Sequence, residues 1–262
     1  MEKEKRHFVL VHGSCHGAWC WYKVASLLKS AGHQVTALDM AASGIHAKQV
    51  QELNSIKQYF QPLIQFLASL AQEERIILVG HSMGGVCISL AMEMFSNKIA
   101  VAVFVTAFMP AHNLSFQNLV HEYSQSLESN LDTETMFDEG HNDHPNGSYI
   151  FGPQFLASNL YQLSPLEDLT LAMSLVRPTR IFGDEERVEE ETRVTREKYG
   201  TVAKVYVVCE QDKVLKPNFQ VSMIERNPTN DVKVIPDADH MPMFSKPHHL
   251  FSHLQDIANT YY

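Results

Sequence analysis

Gly80-His81-Ser82-Met83-Gly84 sets a serine among small neighbours, directly after the apolar run Arg75-Ile76-Ile77-Leu78-Val79 and ahead of an apolar stretch from Val86 to Phe95. A G-x-S-x-G pattern at a strand-to-helix turn is a position for a nucleophile, because the turn crowds its own backbone, the glycines make room, and the serine is left exposed in a strained conformation. A serine hydroxyl attacks poorly until a base takes its proton, so the chemistry also needs a histidine and a carboxylate to orient that histidine. Of the 14 histidines, His240, His248, His249 and His253 follow the last predicted strand. His240 lies in the loop Pro236-Asp237-Ala238-Asp239-His240-Met241, where a strand end would deliver it to the serine; the other three fall on or beside the terminal helix.

For the acid, Lys204 to Cys209 reads as a strand that runs into Glu210-Gln211-Asp212. Asp212 is the expected partner of His240, with Glu210 its nearest competitor. Asp239 adjoins His240, but neighbouring side chains on an extended backbone diverge, so Asp239 is expected to be a turn residue. Attack on a carbonyl creates an oxyanion that needs fixed N–H donors. The expected donors are the backbone of Met83, at the start of the following helix, and of Ser14, in the loop His12-Gly13-Ser14-Cys15-His16-Gly17 after the first strand. His81 is expected to be structural and directed away from the substrate.

The elements that must carry these residues alternate along the chain. Strands are expected at His7 to His12, Gln34 to Asp39, Arg75 to Gly80, Ile99 to Thr106, Ala203 to Cys209 and Val232 to Ile235. Helices are expected at Trp19 to Ala31, Val50 to Leu70, Met83 to Ser96, Asn218 to Glu225 and His248 to Asn259. Short apolar strands alternating with helices imply a parallel sheet covered on both faces. The alternation fails between Pro110 and Tyr199, which divides the chain into a core of residues 1–110 and 200–262 and an inserted cap of residues 111–199. Helical fragments remain in the insertion around Leu114 to Tyr123, Gln154 to Tyr161 and Pro165 to Leu175, so a mainly helical lid over the strand ends is expected. The cluster His141-Asn142-Asp143-His144-Pro145-Asn146-Gly147 reads as turn chemistry rather than a metal site.

Composition sets the outer bounds. The 262 residues are 45% hydrophobic, enough for one large α/β domain, and carry a formal net charge of −9 with no basic cluster, which argues against nucleic acid or an anionic membrane as partner. The charged start, Met1 to Arg6, leads straight into the first strand, so neither a secretory signal nor a membrane span is expected. Cys15, Cys20, Cys87 and Cys209 form no C-x-x-C pair and read as reduced, buried thiols of a cytoplasmic protein.

Phe8-Val9-Leu10-Val11-His12-Gly13, Cys15-His16-Gly17-Ala18-Trp19, Thr36-Ala37-Leu38-Asp39 and Gly80 to Gly85 resemble the plant methylesterase and hydroxynitrile lyase family. Leu160-Tyr161-Gln162-Leu163, Leu175-Val176-Arg177-Pro178 and Asp239-His240-Met241 extend the resemblance over nearly the whole chain. It implies an α/β-hydrolase fold with a mostly parallel six-stranded sheet, and a carboxylesterase that works without cofactor or metal. Its substrates would be small methyl esters of plant hormones such as salicylate, jasmonate or indole-acetate, or of alkaloid intermediates, and a homodimer is what the family suggests. Lyase members carry threonine at the position of Gly13 and lysine at that of Met241, and ketone-forming relatives lack the serine, so this chain reads as an esterase. Gly13, Phe108, Tyr123, Phe151, Phe155, Leu160, Tyr161, Leu175 and Met241 are the expected substrate-pocket residues. A small-ligand receptor on the same fold is the alternative. The segment Glu128 to Gly147, polar where the hormone esterases present aromatic residues, is where the chain departs most from the family.

Overall fold

The protein is described from a computed structural model covering residues 5–126, 129–139 and 146–262. The expected turn cluster at 141–145 lies outside the described residues. Six strands form one wholly parallel sheet: β1 (His7–Val11), β2 (Gln34–Leu38), β3 (Ile76–Ser82), β4 (Ile99–Ala107), β8 (Ala203–Cys209) and β9 (Asp231–Ile235), in the order β2-β1-β3-β4-β8-β9. The intervening strands β5 (Glu134–Phe137), β6 (Gly147–Ile150) and β7 (Thr179–Ile181) form a separate antiparallel sheet within residues 111–199. That small sheet was not expected. Its strands are three or four residues long, and every described position of β5 is exposed, so no apolar alternation announces them.

Because consecutive side chains of a strand point to opposite faces, continuously apolar strands fill two cores at once. Val9, Val11, Ile76, Leu78, Ala102, Phe104 and Tyr206 pack on one side, with α3 (Gln61–Ser69) and α4 (Gly84–Phe95). Phe8, Leu10, Ile77, Val79, Val101, Val103 and Val205 pack on the other, with α1 (Tyr22–Ser30) and α11 (Pro247–Tyr261). The helix expected from Val50 to Leu70 is broken into a 3₁₀ turn at Val50–Glu52, α2 (Ile56–Tyr59) and α3. Ser55 caps α2 by accepting the Gln58 N–H at 3.3 Å, and Pro62, which has no N–H to give, sits in the first turn of α3.

The insertion also carries α5 (Phe116–Ser126), α6 (Pro153–Phe155) running into a π turn at Leu156–Leu160, α7 (Leu166–Leu175) and α8 (Glu185–Thr192). The chain closes with α9 (Pro217–Arg226), α10 (Pro242–Ser245) and α11. No helix among the described residues is long and apolar enough to cross a membrane.

Candidate active site

Ser82 ends β3, beside the centre of the sheet, with φ at +54°. That conformation is costly for a residue with a side chain and survives only where the surroundings dictate it. Here they do. A β-carbon on Gly84 would fall 2.7 Å from the His12 carbonyl oxygen, and one on Gly85 would fall 2.1 Å from the Phe108 carbonyl oxygen. The first turn of α4 is thus wedged between the ends of β1 and β4, a fit open only to glycine. The Ser82 carbonyl accepts the Phe108 N–H at 3.1 Å, which completes the turn.

β8 and β9 bring the other two groups to the same end of the sheet. His240 Nδ1–H donates to Asp212 Oδ2 at 2.7 Å, so Nε2 is free to accept the Ser82 hydroxyl, 3.1 Å away. All three side chains are buried, Ser82 being the most open at 9% exposure. Asp212 Oδ1 accepts the N–H groups of Val214 at 2.7 Å and Leu215 at 3.0 Å, which fixes the carboxylate plane.

Asp212 Oδ2 also accepts the hydroxyl of Thr106, a residue the sequence reasoning passed over. The β3–β4 pairing skips Thr106 between Val105 and Ala107, and Thr106 has φ at +36°. This bulge turns its side chain toward Asp212. A threonine inside an apolar strand is the only sequence signal it left.

Three further histidines lie beneath the site, and burial pushes all of them below the usual imidazole range. His16 is brought down to about 3. His12 and His81 are lowered by the same desolvation, and the neighbouring His240 adds to the effect at His81. Held neutral, His81 donates Nε2–H to the His240 carbonyl at 2.7 Å and anchors the loop, in keeping with a structural part. His12 Nδ1–H donates to the Gly13 carbonyl at 2.7 Å while its Nε2 accepts the Met40 N–H at 3.0 Å. Asp239 is a turn residue: it accepts Met241 N–H and the Ser245 hydroxyl on one oxygen, Leu163 N–H and the Ser164 hydroxyl on the other. Glu210 is exposed and stands outside the cluster.

A chamber of about 180 Å³ opens over Ser82 and His240, walled by Ser14, Phe108, Tyr123, Asn130, Thr133, Thr135, Tyr149, Phe151, Phe155 and Val214. A neighbouring chamber of about 300 Å³ shares Ser14, Phe108, Tyr123 and Tyr149 with it and is walled further by Met83, Ile56, Phe116, Val120, Ile181, Phe182 and Val188, with Gln117, Ser124, Thr179 and Arg180 as its polar members. Of the expected pocket residues, Phe108, Tyr123, Phe151 and Phe155 line these walls. Gly13 abuts the serine: a β-carbon there would lie 2.7 Å from Ser82 Cβ.

Leu160, Tyr161, Leu175 and Met241 line neither chamber. Leu160 and Met241 are packed in the core, Tyr161 is buried with its hydroxyl on His16, and Leu175 points outward at the end of α7, 38% exposed. Their place in family motifs fixed their sequence position but not the side their side chains face. Asn130, Thr133, Thr135 and Tyr149 were missed because they belong to the irregular cap, where no periodicity assigns an inside. Among the described residues no group of three or more His, Cys, Asp or Glu is arranged to hold a metal ion.

An all-parallel six-stranded sheet, a cap inserted after its fourth strand and a serine at a strand–helix turn make up the α/β-hydrolase architecture. The sequence pattern of the alpha/beta hydrolase family matches residues 8–254. Methyl jasmonate esterase 1 of Vitis vinifera is 55% identical over 262 residues, covering all of both chains. Salicylic acid-binding protein 2 of Nicotiana tabacum is 44% identical over 263 residues, covering 99% of each. Among solved structures, tomato methylketone synthase I complexed with 2-tridecanone superposes with a TM-score of 0.94 at 45% identity, covering 99% of this chain and 100% of that one. The chain belongs to the alpha/beta hydrolase family, in the plant methylesterase group, and is a carboxylic ester hydrolase.

Proposed function

We propose that the protein hydrolyses the methyl ester of a small, uncharged, largely apolar carboxylic acid through an acyl-enzyme on Ser82. The observation that carries this reading is the continuous run from Ser82 Oγ through the His240 ring to Asp212, at 3.1 and 2.7 Å. Ser82 attacks the ester carbonyl as His240 Nε2 takes its proton, and Asp212 holds the resulting imidazolium. The N–H groups of Ser14 and Met83 receive the oxyanion. Collapse breaks the bond to methoxide, which leaves as methanol with the proton from His240. Water then gives its proton to His240, attacks the acyl carbon and frees the acid and Ser82.

The larger chamber suits the acyl group, since Ser14 and Met83 stand on its wall and most of that wall is apolar. The smaller one suits the departing methanol beside His240. Among the described residues no Asp, Glu, Lys or Arg side chain lines it, which favours a neutral ester. The one cationic residue of the larger chamber among the described residues, Arg180, is engaged with Asp138 through two nitrogens. Gly13 and Met241 supply neither the hydroxyl nor the ammonium group found at these positions in the lyases, which favours hydrolysis over cyanohydrin cleavage. Among acids, jasmonate and salicylate are the first to test, given the relatives named above.

Ser82→Ala is expected to lower kcat for methanol release by about four to six orders of magnitude. Undiminished release by purified Ser82→Ala would overturn the mechanism. A second reading, ligand recognition without turnover, draws on the 44% identity to a protein named for binding salicylic acid. It predicts a large thermal shift with ligand and less than one turnover per molecule, where the esterase reading predicts many.

A further inference from the structure

The loop that carries Ser14 is held largely by the inserted segment. Cys15 has φ at +62°, and each of its polar atoms is taken by a residue from the cap. Its N–H donates to Thr179 Oγ1 at 2.7 Å, its carbonyl accepts the Arg177 N–H at 3.0 Å, and its thiol lies 3.6 Å from the Tyr149 carbonyl oxygen. The Arg177 guanidinium in turn donates to the carbonyls of Gly44, His46 and Lys48, tying the stretch between α7 and β7 to the loop after β2.

The next residue repeats the arrangement. The His16 ring lies nearly parallel to those of Trp19 and Tyr161, with centroids 5.2 and 5.9 Å away. Its Nδ1 lies 2.8 Å from the Ser14 carbonyl oxygen, which can only accept, so Nδ1 carries the proton and Nε2 accepts the Tyr161 hydroxyl at 2.7 Å. His12 holds the Gly13 carbonyl from the other side. In a planar trans peptide the N–H points opposite to the carbonyl, so fixing the Gly13 carbonyl turns the Ser14 N–H the other way. The peptides on both sides of Ser14 are therefore clamped, one by a core histidine and one from the cap.

We infer that Thr179 and Tyr161 are positioning residues for the oxyanion donor at Ser14, acting through Cys15 and His16, so that the inserted segment sets the rate of the chemical step as well as the shape of the pocket. The inference rests on the esterase reading. Neither residue touches the reacting atoms. A donor displaced by a few tenths of an ångström still allows substrate to bind but meets the transition state poorly, so the loss falls on kcat.

Thr179→Val keeps the shape of the side chain and removes the acceptor for the Cys15 N–H, while Tyr161→Phe removes the donor to His16. Each is expected to lower kcat tenfold or more for a methyl ester, with KM within about threefold, and Thr179→Ser is expected to recover most of the rate. Affinity for a trifluoromethyl ketone analogue, which forms a tetrahedral oxyanion on the serine, falls by the same factor as kcat; a purely structural role produces no such correlation. Thr179→Val with kcat within twofold of the parent overturns the inference, as does a loss confined to KM or one that Thr179→Ser fails to restore. Should Thr179→Val not fold, Tyr161→Phe is read by the same criteria. Full turnover by Ser82→Ala would instead sink the esterase reading itself, so the two failures are told apart.

Discussion

Ser82 and Thr133 face the same chamber and are held there by different means. Ser82 terminates a strand paired on both sides, with β1 and β4, and its turn is fixed by α4 pressing on two neighbouring strand ends. Thr133 precedes an edge strand of the cap sheet; its N–H donates to the Asn130 carbonyl, and its buried hydroxyl has no partner among the described residues. Ser82 thus draws its geometry from the ladder of the main sheet. Much of the wall opposite draws its geometry from short turns. Side chains can change on that wall without moving the nucleophile, which leaves room for substrate preference to vary while the catalytic groups stay in place.

Acid should separate the two regions most sharply. His12, His16 and His81 all lie under the nucleophile, and burial keeps them neutral in the folded state. Unfolded histidine takes up a proton near pH 6.5, whereas folded His16 does so only near 3, so protons favour the unfolded chain as pH falls between those values. His16 alone should cost about 2 kcal/mol between neutral pH and pH 5, with His12 and His81 adding in the same direction. Urea unfolding followed at pH 7, 6 and 5 checks this. A midpoint that does not move across that range would mean the core histidines are not buried neutral.

A smaller effect is expected of Thr106→Val, which removes one of the four hydrogen bonds to the Asp212 carboxylate and leaves the other three. A drop in kcat of about tenfold, with KM unchanged, is expected from steady-state methanol release, in line with the loss of one hydrogen bond to a charged group. Equal activity of the variant would show that the backbone donors alone orient the acid.

The smallest effect tests the other half of the comparison. Thr133→Val replaces an unpartnered hydroxyl by a methyl group of the same size, so stability should stay within about 1 kcal/mol or rise. Differential scanning calorimetry should show an unchanged or higher Tm. KM ratios across a panel of methyl esters should shift a few-fold while kcat holds. A large loss of kcat would place Thr133 with the core groups and break the distinction.

The same division decided what could be read in the sequence. Five of the six main strands end within one residue of the expected position: β1, β4 and β8 are almost wholly buried and read as largely apolar runs, while the half-exposed edge strands β2 and β9 are short runs rich in β-branched residues. β3 was expected to end two residues early, since a glycine-flanked serine reads as a turn although the ladder runs on to Ser82. Ser82, Asp212 and His240 could be picked out because each lies at, or a few residues beyond, the carboxyl end of a main strand. Thr106 was not, since nothing in the sequence signals the backbone bulge that aims it. Leu160 and Leu175 were misplaced because residues in a π turn and in the last turn of a helix have no pattern that assigns their face. The cap strands escaped because three or four exposed residues carry no periodicity.

The order in which the main strands lie has one more consequence. β1 to β4 are made from the first 107 residues and already contain the nucleophile in its bent turn, while Asp212 and His240 enter only after the cap, on strands added to the free edge of β4. On the esterase reading proposed above, the serine of a chain that lacks β8 and β9 has neither its base nor its acid. On that reading the whole proton relay depends on the pairings β4–β8 and β8–β9, the first of which joins the parts of the sequence before and after the cap.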